Sequence, residues 1–186
     1  MYQLQYFQFP KDFKFGVADA DIQVIGEQHT LKHENSEPTI WLHYSKIPGK
    51  TYKGQTTLEG IDRYNRWKED IRIMKDLDLK HFRCSVSISR TLTRDKKPNL
   101  KALDWYKTYF SALRKAGIQI YLTLYHWELP QHLQEKGGWK NRKIVDYLVE
   151  HAKTVYTHLN DYVEEYFILN EPFQFTFESY HNGVQT

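Results

Sequence analysis

The chain has 186 residues, enough for one domain with a sizeable core, and 40% hydrophobic with 26% charged residues excludes a disordered polymer. The formal net charge of +3 comes from basic residues scattered among acidic ones, so no nucleic-acid face is expected; the densest cluster, Arg94, Lys96 and Lys97, reads as a solvated loop. One cysteine, Cys84, permits no internal disulfide, no apolar stretch reaches bilayer length, and Met1 to Tyr6 lacks a basic-then-apolar leader, so the expected setting is reducing and cytoplasmic, away from membranes.

A short apolar run over residues 15–18 reads as the first strand, followed by Gln23. Residues 28–60, with Pro38, Pro48 and several glycines, read as a long irregular loop over one end of the fold. His29 and His33 have the i, i+4 spacing of a helical metal pair, with Glu27 nearby. No further ligand set accompanies them, so neither a metal nor any other cofactor is expected. Helical spacing of Ile61, Tyr64, Trp67, Ile71, Met74 and Leu77 predicts a helix over 61–77. A strand over 81–86 follows, with Cys84 inside it as a small buried hydrophobe rather than a nucleophile. Leu103, Tyr106, Phe110 and Leu113 mark a helix over 100–116, and Gly117 stands where a left-handed stop belongs. The third strand, 118–125, runs into His126-Trp127-Glu128. A helix over 143–159, with Asn141 as its expected cap, precedes a fourth strand over 165–169 and then Asn170-Glu171-Pro172.

Strand and helix in regular alternation imply parallel pairing with helices outside. Four such units suit a doubly wound sheet or half of an eight-stranded (β/α)8 TIM barrel. Every concentration of chemically capable side chains falls at the C-terminal end of a strand, and no glycine-rich phosphate loop follows any strand. The expected fold is therefore α/β, the first four βα units of a barrel, with residues 1–186 as the N-terminal half of one domain.

Asn170-Glu171-Pro172 is the sharpest chemical signal. A Glu at a barrel strand end points into the mouth, where partial desolvation and a second carboxylate would raise its pKa and make it a proton donor. Asn170 can donate to a sugar 2-hydroxyl, a contact that strengthens as charge develops at the anomeric carbon. Taken alone the tripeptide is equally a surface turn.

Read together, the segments at 9–16 (FPKDFKFG), 83–90 (RCSVSISR), 123–130 (TLYHWELP), 137–139 (GGW) and 170–172 (NEP) resemble the family 1 glycoside hydrolases, which include β-glucosidases and 6-phospho-β-glycosidases. The resemblance is collinear over nearly the whole chain. It implies Glu171 as acid/base of a retaining mechanism and Arg83 beside the nucleophilic carboxylate. It further implies Gln23, His126 and Asn170 as hydrogen-bonding partners of the sugar, and Trp127 as a wall of its site. The implied substrate is a small β-linked glycoside. The family's nucleophile comes from a strand in a second half of the barrel, so the isolated chain is expected to be an inactive fragment, a non-catalytic carbohydrate-binding half barrel, or one of two associating halves. Three departures stand near the mouth: Asp19, Asp21 and Ile22 before Gln23, Ile88 where a Trp is usual, and Glu128 where Asp is common.

Overall fold

The computed structural model describes residues 8–183; the Met1 to Tyr6 opening and the final Val184 to Thr186 lie outside them. Strand β1 (Gly16–Ala18) leads into three short helices, α1 (Asp21–Val24), α2 (Glu27–His33) and α3 (Ile40–Ser45), and then the long α4 (Arg63–Asp76). Strand β2 (His81–Ser85) is followed by the one-turn α5 (Ile88–Thr91) and the long α6 (Leu100–Lys115). Strand β3 (Gln119–Tyr125) is followed by the one-turn α7 (Gln131–Gln134) and α8 (Ile144–Leu159), and β4 (Val163–Leu169) by α9 (Pro172–Thr176). The four strands pair in chain order, all parallel, as half of a barrel.

Alternation along the strands sorts side chains to two faces. Phe82 and Cys84 of β2 and Ile120, Leu122 and Leu124 of β3 point outward, into a core shared with Ile71 and Met74 of α4, Leu103, Phe110 and Leu113 of α6 and Val155 and Leu159 of α8. Each large apolar side chain fully buried there contributes roughly 1.5–3 kcal/mol. Cys84 is buried in this cluster, where desolvation pushes its thiol far above the ordinary range, so it packs and does not react. Arg83 and Tyr121, in register across β2 and β3, point to the opposite, inner face. Cover thins toward the edges of the sheet: Val17 on β1 is 41% exposed, and Phe167 and Ile168 on β4 are 42% and 57% exposed.

Three local expectations need correction. The 28–60 stretch is not one irregular loop, because α2 and α3 lie within it or at its border, and Thr39 caps α3 by accepting the Leu42 N–H at 3.1 Å. The 61–77 helix starts at Arg63, since Asp62 sits at φ 56°, in left-handed backbone that a helix cannot include. Asn141 does not cap α8: its Oδ1 accepts from the Lys143 N–H at 3.1 Å, which closes a local turn one residue before the helix begins. The Gly117 stop is as expected, at φ 80°.

Candidate active site

The strands deliver their chemistry at one end of the sheet. Asn170 and Glu171 follow β4, His126 and Trp127 follow β3, Arg83 lies within β2, and Gln23 sits on α1 just beyond β1. Asn170 is buried, and its Oδ1 accepts from Arg83 Nη2 at 2.7 Å. That bond orients the amide so that Nδ2 faces Glu171, whose Oε2 it meets at a long 3.3 Å. Arg83 also donates from Nε to Thr123 Oγ1 at 3.0 Å, and its guanidinium lies 4.9 Å from the centre of the Phe167 ring. Among the described residues no carboxylate pairs with Arg83. Glu171 itself is exposed, so the described residues do not supply the desolvation expected for it. Pro172 opens α9 at its first position, where a missing N–H costs nothing.

Gln23, His126 and Trp127 line a single cavity of about 200 Å³, together with Ile22, Trp41 and Thr57. Burial, and then the nearby Arg83 cation, lower the His126 pKa against the opposing pull of Glu171, which keeps the imidazole neutral at pH 7. Its buried Nδ1 has no hydrogen-bond partner among the described residues, so the ring keeps unused hydrogen-bonding capacity beside the cavity. The Trp127 ring is held by its indole N–H, which donates to the Asn170 carbonyl at 2.9 Å. Trp41 donates its own indole N–H to the Trp127 carbonyl at 2.6 Å. Sequence reasoning missed Trp41 and Thr57 because both lie in the stretch read as irregular, where an aromatic carries no positional meaning.

The acidic departures near the mouth turn out to be structural anchors. Asp19 pairs with Arg63 at 2.6 Å. Asp21 takes Arg90 Nη1 at 2.9 Å, and Glu34 takes Arg90 Nη2 at 2.7 Å, with all three side chains below a tenth exposed. The Arg90 guanidinium lies 4.7 Å and 4.2 Å from the ring centres of Trp105 and Tyr106. Glu27 accepts from the Thr39 N–H at 3.1 Å and from the Thr57 hydroxyl, tying the chain before α3 to the far side of the loop. Glu128 is buried against Ser89, and desolvation pushes its carboxyl up to about 7. The two glycines before Trp139 both take positive φ, 102° and 51°, and turn the indole onto Tyr125, 5.0 Å between ring centres, with its N–H on the phenol oxygen at 2.9 Å.

His29 and His33 do share α2, with rings stacked 6.2 Å apart, but His29 Nε2 is engaged by Asp62 at 3.1 Å and the stack continues onto Tyr64. Among the described residues no group of three or more His, Cys, Asp or Glu could hold a metal ion, and no described helix is long and apolar enough to cross a membrane.

Comparison with known proteins gives one consistent answer. The family model for Glycosyl hydrolase family 1 matches residues 5–186. Among curated relatives, "Beta-glucosidase A" of Acetivibrio thermocellus is 41% identical over 88% of this chain and 36% of its own length, and "Beta-glucosidase A" of Thermotoga maritima is 39% identical over 89% and 36%. Among solved structures, an enzyme from Alicyclobacillus herbarius superposes with a TM-score of 0.90 at 36% identity, covering 98% of this chain and 40% of that one. The Thermotoga maritima β-glucosidase in complex with castanospermine gives 0.87 at 37% identity, covering 95% and 40%. The chain thus spans a little over a third of the length of these relatives.

Proposed function

Because the chain belongs to glycosyl hydrolase family 1, we propose that it carries the acid/base side of a retaining β-glycosidase site for small β-linked glycosides, as the N-terminal half of a single barrel domain. The observation that carries the reading is Glu171 standing exposed at the end of β4, beside an Asn170 whose amide is oriented by Arg83. Glu171 protonates the leaving sugar oxygen and then takes a proton from the attacking water. Asn170 Nδ2 donates to the 2-hydroxyl, and Gln23 and the neutral His126 bind further hydroxyls. Trp127 walls the site. Arg83, free of any described carboxylate, keeps a second carboxylate ionised as nucleophile. A retaining mechanism needs that group about 5–5.5 Å from the acid, and it belongs to sequence beyond the span that this chain shares with its relatives. Related structures in complex with castanospermine, deoxynojirimycin and glucoimidazole support a glycoside-sized ligand.

The test is hydrolysis of a methyl and a 4-nitrophenyl β-glucoside by the chain completed with the C-terminal part of a family 1 relative. Glu171→Gln is expected to cut turnover of the methyl glycoside by about 10²–10⁴-fold and to spare the glycosylation step with the activated aryl glycoside, whose leaving group needs no proton. Equal loss on both substrates removes the acid role.

A second reading follows from the Gln23, His126 and Trp127 cavity being complete within this one chain. On it, the half barrel binds a sugar without cleaving it. Saturable deoxynojirimycin binding by the chain alone, with no hydrolysis, separates this from a fragment that needs its other half. A second half barrel would pair with the exposed β1 and β4 edges.

A further inference from the structure

Three of the strand ends are joined by hydrogen bonds that involve no ligand. Arg83 of β2 holds the Asn170 side chain after β4 at 2.7 Å, and the Asn170 carbonyl accepts the Trp127 indole N–H at 2.9 Å. Trp127 is covalently next to Glu128. The Glu128 carboxyl accepts the Ser89 backbone N–H at 3.2 Å and the Ser89 hydroxyl as well. Ser89 lies six residues after Arg83 on the same connection, so the circuit closes on β2. Two residues in this circuit or next to it stand in left-handed backbone, Trp127 at φ 64° and Glu171 at φ 43°. For side chains of this size such a conformation persists only where surrounding contacts over-determine it.

Glu128 is the buried end of that constraint. It is 5% exposed and Ser89 is 1% exposed, and Asp21 and Glu27 are the further charged groups that bear on it. A buried carboxyl placed among other acids has no stabilising electrostatic reason to be there. What it provides is hydrogen bonding to the turn that opens α5, to Ser89 foremost and with the Ser87 side chain contributing.

Resting on the glycosidase reading above, we propose that Glu128 is a positioning residue: by gripping Ser89 it holds Trp127 in its left-handed turn, and through the Trp127 indole it sets the Asn170–Glu171 peptide. It touches no sugar. Its effect reaches the site by way of the Trp127 N–H and the Asn170 carbonyl, a side-chain bond that adds to the backbone one from the Asn170 N–H to the Tyr125 carbonyl at 2.9 Å.

The test uses the full 186-residue chain and the exchange rate and ¹⁵N shift of the Trp127 indole N–H, assigned by Trp127→Phe, with Trp67 as an internal reference on the helical side of the sheet. Glu128→Ala is expected to speed Trp127 indole exchange about tenfold or more while Trp67 stays unchanged. Glu128→Gln, whose amide oxygen still accepts from Ser89, is expected to retain the wild-type rate. If Glu128→Ala only lowers the melting temperature and leaves the Trp127 indole as in wild type, the proposal is wrong. The same holds if Gln behaves like Ala, because acceptance from Ser89 would then not be the operative contact. Titration of deoxynojirimycin separates the two readings. If the Trp127 indole responds to Glu128→Ala while the wild-type chain binds no deoxynojirimycin, the self-contained sugar site is contradicted and the positioning circuit stands. Binding that survives loss of the indole bond overturns the positioning role.

Discussion

Removing the Arg90 cation is expected to do more harm than any other single substitution at the mouth. Arg90→Ala strands Asp21 and Glu34, whose side chains are 7% and 2% exposed, with no other ion-pair partner among the described residues. Breaking a buried pair in this way costs about 3–5 kcal/mol. The guanidinium also leaves the faces of Trp105 and Tyr106, worth about 0.5–2 kcal/mol in a desolvated site. Taking about 4 kcal/mol for the whole, and about 2–4 °C per kcal/mol for a chain of this size, the melting temperature should fall by about 8–16 °C at pH 7. The pH dependence gives the sharper check. Burial already raises the Asp21 pKa, with Arg90 as the main opposing influence, so the variant raises it further. A carboxyl whose folded pKa lies above its unfolded value near 3.9 favours folding fully below that value and loses the contribution as pH rises. The gap between wild type and variant should therefore be widest at neutral pH and shrink toward pH 4, followed by circular dichroism melts at each pH. A loss under about 1 kcal/mol at pH 7, the range of an exposed pair, would refute the reasoning, as would a gap constant from pH 7 to pH 5.

Glu128, pushed up to about 7 by burial, destabilises the folded state when ionised, so its favourable contribution is complete below the unfolded value near 4.3 and lost as pH rises through 7. Glu128→Gln should gain stability relative to wild type above pH 7 and converge with it in acid, read from urea midpoints. His151 runs the other way: fully buried, with Nε2 donating to the Leu124 carbonyl at 2.9 Å and Nδ1 2.7 Å from the Thr91 hydroxyl, its pKa is lowered by burial to about 4. Its contribution is present above the unfolded value near 6.5 and lost as pH falls toward 4, and His151→Ala should cost about 2–4 kcal/mol at pH 7 in the same denaturation assay.

Periodicity made the long elements legible, because α4, α6 and α8 each repeat apolar residues at helical spacing and the strands are short apolar runs bounded by polar ones. What it could not show was the organisation of residues 28–60. The helices there are one or two turns long, too short for a repeat to register, and are held by long-range contacts such as Glu27 to Thr39 and Ile40 to the Leu129 carbonyl. The site divides similarly. Gln23, His126, Trp127, Asn170, Glu171 and Arg83 were readable as motif positions, and the structure brings the first three around one cavity and joins Trp127, Asn170 and Arg83 by hydrogen bonds. Asp19 and Asp21 beside Gln23 made no sense in the linear sequence because their partners, Arg63 and Arg90, lie 44 and 69 positions away.

The uneven cover across the sheet bears on the order in which the protein comes apart. Strands β2 and β3 pack one face on the helical core, whereas β1 exposes Val17 and β4 exposes Phe167 and Ile168, and among the described residues each of these two contacts one strand. Segments with few buried contacts open at lower free energy than the global transition. In the 186-residue chain both edge strands are therefore margins that open before the centre, and β4, one of them, carries Asn170 and Glu171. The bonds joining Arg83, Asn170 and Trp127 would loosen while the inner strands and their helices were still folded, ahead of any far-UV sign of melting.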